Sequence, residues 1–180
     1  HKHIPFASIC PEFAEITVSF MNPSKTFNVP GFRTAAFIAS NPVLKSAVHE
    51  MLVNNKAIGE NICGTIAFYT AYEQCDYYAD QLVAYLEKNR DLVEQTLKDV
   101  PGIEVTHAEG TYLLWLDCRG LGFESQKALD KWLVEIAKLG FNSGMSFGPE
   151  GEGYARMNIA APRSTVEEAL HRLTNAVKAL

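Results

Sequence analysis

The sequence predicts an α/β fold, a sheet covered by helices followed by a smaller α+β unit. Three observations carry that expectation. Two short runs near the start, Ile16-Thr17-Val18-Ser19-Phe20 and Thr34-Ala35-Ala36-Phe37-Ile38-Ala39, are β-branched, aromatic and apolar enough for strands covered on both faces. Helical periodicity then extends from Thr65 to the Pro101-Gly102 stop. Beyond it, strand-like runs alternate with two further helical segments.

The elements follow in order. The first strand runs into Met21-Asn22-Pro23-Ser24-Lys25-Thr26-Phe27-Asn28, where Pro23 bars a regular continuation and places Lys25 in a turn. Val29-Pro30-Gly31 breaks the chain before the second strand. Asn41 caps a helix with Pro42 at its first position and an apolar stripe of Leu44, Val48, Met51 and Leu52, ending near Asn54-Asn55. From Thr65 the spacing of Tyr78, Leu82, Val83, Leu86, Leu92, Val93 and Leu97 predicts one long helix. A helix of that length commonly bridges two subdomains, so the expected division is 1–80 and 81–180, near Asp80.

Ile103 to His107 and Thr111 to Asp117 read as an antiparallel hairpin. A helix from Gln126 to Lys138, a stop at Gly140, a short strand at Asn142 to Met145, a glycine-rich loop, a strand Tyr154 to Ile159 and a final helix complete the pattern. Ser164 and Glu167 have the spacing of a capping box for that helix.

At 180 residues and 47% hydrophobic, the chain can bury a substantial core. A net charge of −5 with mixed signs and no Lys/Arg run argues against a nucleic-acid surface or a polybasic membrane patch. No apolar stretch is long enough for a membrane span and no signal-peptide pattern is visible, which gives a cytoplasmic expectation. Cys10, Cys63, Cys75 and Cys118 lack metal-site spacing and read as reduced thiols; His1-Lys2-His3 is the one close histidine pair and reads as an untethered end, so no metal is expected. The start at a histidine reads as the interior of a longer polypeptide.

A lysine can become a covalent catalyst when its amine loses its proton and condenses with a carbonyl, which nearby positive charge encourages. Arg33, eight residues beyond Lys25, supplies such charge and is suited to a bidentate grip on phosphate, and Ser24 offers a hydroxyl to another phosphate oxygen. Together they point to a phosphorylated aldehyde cofactor. Taken by itself, Lys25 is most simply a solvated turn residue.

The segment Ser24-Lys25-Thr26-Phe27-Asn28 with Gly31 and Arg33 resembles the cofactor-lysine segment of class I/II aminotransferases, the fold-type I pyridoxal-phosphate enzymes. Phe27-Asn28 is similar to the C–S lyase, cystathionine β-lyase-like, branch. Gly151-Glu152-Gly153-Tyr154-Ala155-Arg156-Met157-Asn158-Ile159-Ala160 with Pro162-Arg163 resembles that branch's C-terminal signature. The resemblance implies the C-terminal half of such an enzyme: part of the pyridoxal-phosphate-binding large domain, with its mixed sheet covered by helices, in 1–80, and the small C-terminal domain in 81–180.

The resemblance also implies Lys25 as the Schiff-base lysine and proton-abstracting base, Arg33 and Ser24 on the phosphate, and Arg156 as the substrate-carboxylate arginine, with an amino acid as substrate and a homodimer as the assembly. Asn22 departs from the serine that many relatives carry, although its amide can donate the same phosphate hydrogen bond. Arg163 matches the pattern but stands at a helix start, where a structural role is simpler. Tyr112 and Trp115 are expected in the core, His49 on a surface or in the core, and Gly144 to Gly153 as a loop without nucleotide chemistry. The acidic partner of the pyridine nitrogen, the stacking aromatic and the glycine-rich phosphate turn have no counterpart here. A C–S β-lyase is the favoured activity; an aminotransferase uses the same residues, and a non-catalytic interaction module on the same scaffold is the rival from another class.

Overall fold

The computed structural model describes residues 3–59 and 61–180; His1 and Lys2 of the terminal histidine pair lie outside them. The chain divides into two compact units, His1–Leu82 and Val83–Leu180.

In the first unit, a short helix α1 (Pro11–Glu15) precedes strand β1 (Ser19–Met21), which pairs antiparallel with β2 (Ala36–Ile38) in the register Phe20 opposite Phe37. Both strands are shorter than their apolar runs. Within this ribbon of the described residues Phe37 is half-buried, while Phe20 and Ile38 are exposed. Helix α2 (Pro42–Asn54) begins as expected, with the Asn41 carboxamide oxygen accepting from the Val43 and Leu44 amides. Leu44, Val48 and Leu52 of its stripe are half-buried, whereas Met51 is exposed.

The long helix expected from Thr65 is two helices, α3 (Ile62–Gln74) and α4 (Asp76–Leu97), separated at Cys75 by φ −119 and ψ 25. A one-residue break without Gly or Pro leaves the apolar period intact, so the sequence hides it. The Asn61 carboxamide oxygen caps α3 by accepting from the Gly64 amide at 3.1 Å.

The second unit holds the hydrophobic core. Strands β3 (Glu104–Val105), β4 (Leu113–Asp117), β5 (Asn142–Ser143) and β6 (Tyr154–Asn158) form an antiparallel sheet in the order β3-β4-β6-β5. The hairpin of β3 and β4 is as expected. Because side chains alternate along a strand, Leu114, Leu116, Ala155 and Met157 fall on one face. There they join Val93 and Leu97 of α4, Leu129, Trp132 and Leu133 of α5 (Gln126–Glu135), and Val166, Leu170 and Leu173 of α6 (Arg163–Lys178) in one buried cluster.

Three polar side chains fasten this layer. Asn89 of α4 is fully buried, and its amide donates to the carbonyls of Ile159 at 2.9 Å and Ala161 at 3.1 Å, holding the link from β6 to α6. Gln126 accepts from the Gly153 amide at 2.7 Å and donates to the Tyr154 carbonyl at 3.1 Å, tying the start of α5 to the start of β6. The Tyr85 hydroxyl oxygen accepts from the Arg163 amide at 2.6 Å.

That last bond replaces the expected capping box. Pro162 is the cap residue, Ser164 is already inside the helix, and no side chain of the cap makes the bond. Helix α5 likewise stops at Glu135 rather than Lys138. The Ile136 and Ala137 amides both reach the Trp132 carbonyl, and Lys138 takes the left-handed φ of 56 expected of a glycine further on.

Replacing Asn89 by Ala leaves one buried and one part-buried carbonyl without their donor, and should lower unfolding free energy by about 1–3 kcal/mol in denaturant titration. Cys118 is buried and burial pushes its thiol up to about 12. It should therefore stay unreactive toward thiol reagents at neutral pH until the protein unfolds, read by mass spectrometry of labelled peptides.

Candidate active site

The Lys25 turn is built from its flanks. At its entry the Asn22 carboxamide oxygen accepts from the Ser24 amide at 3.1 Å, and Pro23 is fully buried. At its exit the Phe27 amide reaches the Pro23 carbonyl at 2.9 Å and the Val29 amide the Ser24 carbonyl at 3.1 Å. Asn28 closes the turn with φ 54, a region asparagine tolerates better than most residues.

Phe27 then locks the turn down, its ring edge-on to Tyr72 at 5.5 Å and stacked on Tyr78 at 6.1 Å, with Phe68 against Tyr72 at 4.8 Å. Lys25 itself is exposed and, among the described residues, makes no hydrogen bond or ion pair. The bonds that hold the backbone of this turn do not use the Lys25 amine.

Arg33 stands at the end of the 3-10 turn Pro30–Phe32 with φ 49 and ψ 40. A side chain in that left-handed region costs roughly 1 kcal/mol, which the surroundings offset. The Phe32 carbonyl beside it accepts from the Asn61 amide at 2.7 Å and the Thr34 hydroxyl at 3.0 Å. Thr34 in turn sits against Gly64, where any Cβ would collide with its hydroxyl. The Arg33 side chain is exposed and, among the described residues, unpaired. The turn thus brings Asn22, Ser24 and Lys25 together, with Arg33 in a second turn of the same unit.

Arg156 lies in the other unit, on β6, opposite Trp115 of β4 and Asn142 of β5. Parity places these three on the face away from the core, which corrects the expectation that Trp115 is a core residue; Tyr112 does pack against the core. Arg156 Nη2 donates to the Asn142 carboxamide oxygen at 3.0 Å, and its guanidinium lies 4.6 Å from the Phe147 ring centre.

Phe147 is edge-on to Trp115 at 5.4 Å, Trp115 stacks on Tyr154 at 5.5 Å, and Arg119 lies over Tyr154 at 4.9 Å. Three rings therefore form a ladder with a guanidinium at each end. Arg119 is spent on Asp117, through Nε at 2.9 Å and Nη2 at 2.6 Å. Arg156 keeps part of its fork unpaired.

The glycine-rich stretch that read as a loop consists of two 3-10 turns, Gly144–Phe147 and Pro149–Gly151. They pack so closely that a Cβ on Gly144 would collide with the Gly151 carbonyl, and this contact sets Phe147 in place. The sequence reading missed Phe147, Asn142 and the outward face of Trp115. The period-two alternation of Leu113 to Asp117 was the available signal for the last of these.

A free amine, a free guanidinium, a hydroxyl and an amide donor are the donor set that an anionic phosphorylated aldehyde requires, so the described residues fit such a group. The fold and both turns define a family. Residues 14–173 match the model of aminotransferase class I and II, and the chain belongs to that family.

The chain is 32% identical over 178 residues to the cystathionine β-lyase PatB of Bacillus subtilis, covering 98% of this chain and 46% of the relative. It is 30% identical over 179 residues to an aspartate aminotransferase of Pyrococcus horikoshii, covering 98% and 44%. Cystalysin of Treponema denticola, whose crystal structure contains pyridoxal 5'-phosphate, superposes with a TM-score of 0.91 at 32% identity over 99% of this chain and 45% of that one. The chain thus has the expected α/β pyridoxal-phosphate-enzyme fold over its own length, and spans about half the length of the curated relatives it matches.

The Arg119 hydrogen bonds hold the Asp117 carboxyl below its ordinary value of 3.8. A carboxylate shifted down on folding stabilises the fold above its unfolded value, and that contribution is lost as pH falls through the lowered one. Arg119→Met should therefore raise the Asp117 titration toward its ordinary value in carbon-detected NMR and move the acid-unfolding midpoint up.

Proposed function

We propose that the intact protein is a pyridoxal-phosphate-dependent enzyme acting on amino acids, most simply a C–S β-lyase that takes cystathionine or cysteine-type substrates to pyruvate, ammonia and a thiol. The single observation that supports it best is a lysine held in a hydrogen-bonded turn with its amine unpaired among the described residues. The family and the relatives named cystathionine β-lyase support the same reading.

When bound, the cofactor supplies an aldehyde that condenses with amines and a ring that accepts the electrons of a broken Cα bond. Lys25 would hold that aldehyde through Nζ, and its free amine would take the proton from the substrate Cα. Arg33 and the Ser24 hydroxyl would hold the phosphate, and Asn22 would add its amide nitrogen as a donor, its oxygen being committed to the Ser24 amide. Arg156 binds the substrate carboxylate, which orients the Cα–H bond for removal. The expected division near Asp80 separates the lysine-bearing part of the large domain from the small domain.

No helix among the described residues is long and apolar enough to cross a membrane. We take the assembly to be a homodimer in the cytoplasm, with an amino acid as the small-molecule partner and no nucleic-acid or membrane role. An aminotransferase is the second reading, favoured by the likeness to the aspartate aminotransferase.

Full-length protein loaded with cofactor should show a visible absorption band that Lys25→Ala removes, and should release pyruvate from L-cystathionine without any 2-oxo acid. Strict dependence on a 2-oxo acid, with the amino group transferred to it, would decide for the aminotransferase. No such band, or a band unaffected by Lys25→Ala, would remove both readings in favour of the non-catalytic module.

A further inference from the structure

On the outward face of the second unit, two guanidiniums end one aromatic ladder, yet their donors are used differently. Arg119 commits Nε and Nη2 to Asp117. Arg156 commits one hydrogen of Nη2 to Asn142, at 3.0 Å. Since arginine is a donor only, the carboxamide must present its oxygen, so Asn142 has one orientation toward it.

The Arg156 Nε is buried and, among the described residues, has no hydrogen-bond partner. Nη1 is neither buried without a partner nor hydrogen-bonded. A side-on grip on a carboxylate would use Nε and Nη2, and an end-on grip uses Nη1 and Nη2. With Nε buried, the end-on edge is the open one among the described residues.

Phe147 covers the flat face of the same guanidinium at 4.6 Å, and Phe147 is itself braced by Trp115 at 5.4 Å. The side chain is therefore held from its edge by a hydrogen bond and on its face by a ring. Both contacts come from elements other than β6: Asn142 from β5, and Phe147 from the turn that the Gly144 and Gly151 contact secures.

We infer that Asn142 and Phe147 are positioning residues for Arg156, holding its guanidinium so that the carboxylate of an amino-acid substrate is gripped end-on by Nη1 and the second hydrogen of Nη2. This rests on the reading of Arg156 as the carboxylate arginine. Asn142 neutralises no charge, so it fixes the fork without competing for it. An aspartate in the same place would form an ion pair with the guanidinium and occupy the group that the substrate needs.

The test is calorimetric binding of two probes to the cofactor-loaded full-length protein: L-alanine, which carries the carboxylate, and ethylamine, which lacks it. Asn142→Ala should weaken L-alanine about tenfold and leave ethylamine unchanged, as expected for losing one charge-assisted positioning bond. Asn142→Asp should weaken L-alanine further, again without effect on ethylamine. Unchanged L-alanine binding in Asn142→Ala, or equal losses for both probes, would overturn the inference.

Arg156→Lys separates the two levels. If it leaves the preference for L-alanine over ethylamine intact, the carboxylate role of Arg156 itself fails. If it abolishes that preference while Asn142→Ala does nothing, only the positioning role fails. In a crystal structure with L-alanine the carboxylate oxygens should lie on Nη1 and Nη2, and an oxygen on Nε would overturn the end-on grip.

Discussion

The antiparallel pairing of β4 with β6 is the constraint from which the second unit follows. Its register sets Leu116 opposite Ala155 and Leu114 opposite Met157, and all four point into the helical layer. The same register leaves Trp115 opposite Arg156 and Asp117 opposite Tyr154 on the other face. A slip of one residue would turn the leucines outward and bury the arginine, so hydrophobic burial is what keeps Arg156 in its place. Asn89 and Gln126 reinforce this by satisfying backbone groups at the two ends of β6 and its exit, where the sheet has no strand to do so.

The lysine turn is organised on another principle. Pro23 and Phe27 are the anchored residues, one buried and one held between tyrosine rings, and Lys25 is suspended between them. Local hydrogen bonds across Asn22 to Val29 fix the backbone without using the amine. Arg33 is held by its left-handed backbone and by the Asn61 bond to its neighbour's carbonyl rather than through its guanidinium. In both cases the charged group is unpaired among the described residues and the support falls on adjacent residues.

Much of this was legible in the sequence, and the exceptions have physical causes. The Asn41-Pro42 helix start, the hairpin after Gly102 and the resemblance around Lys25 and Arg156 were readable because each depends on neighbouring residues. The break at Cys75 was not, since apolar spacing continues across it. The cap of α6 was misassigned because its partner, Tyr85, is 78 residues away. Asn89 and Gln126 look like solvent-facing polar residues until the chain folds over them.

The central claim is that Lys25 is the residue that carries the cofactor. It is tested most directly by loading the full-length protein with pyridoxal phosphate, reducing with borohydride, digesting and mapping the modified lysine by mass spectrometry. The reduced cofactor should appear on the peptide containing Ser24-Lys25-Thr26, with the other lysines unmodified. A stoichiometric label on a different lysine, or no label at all, would contradict it.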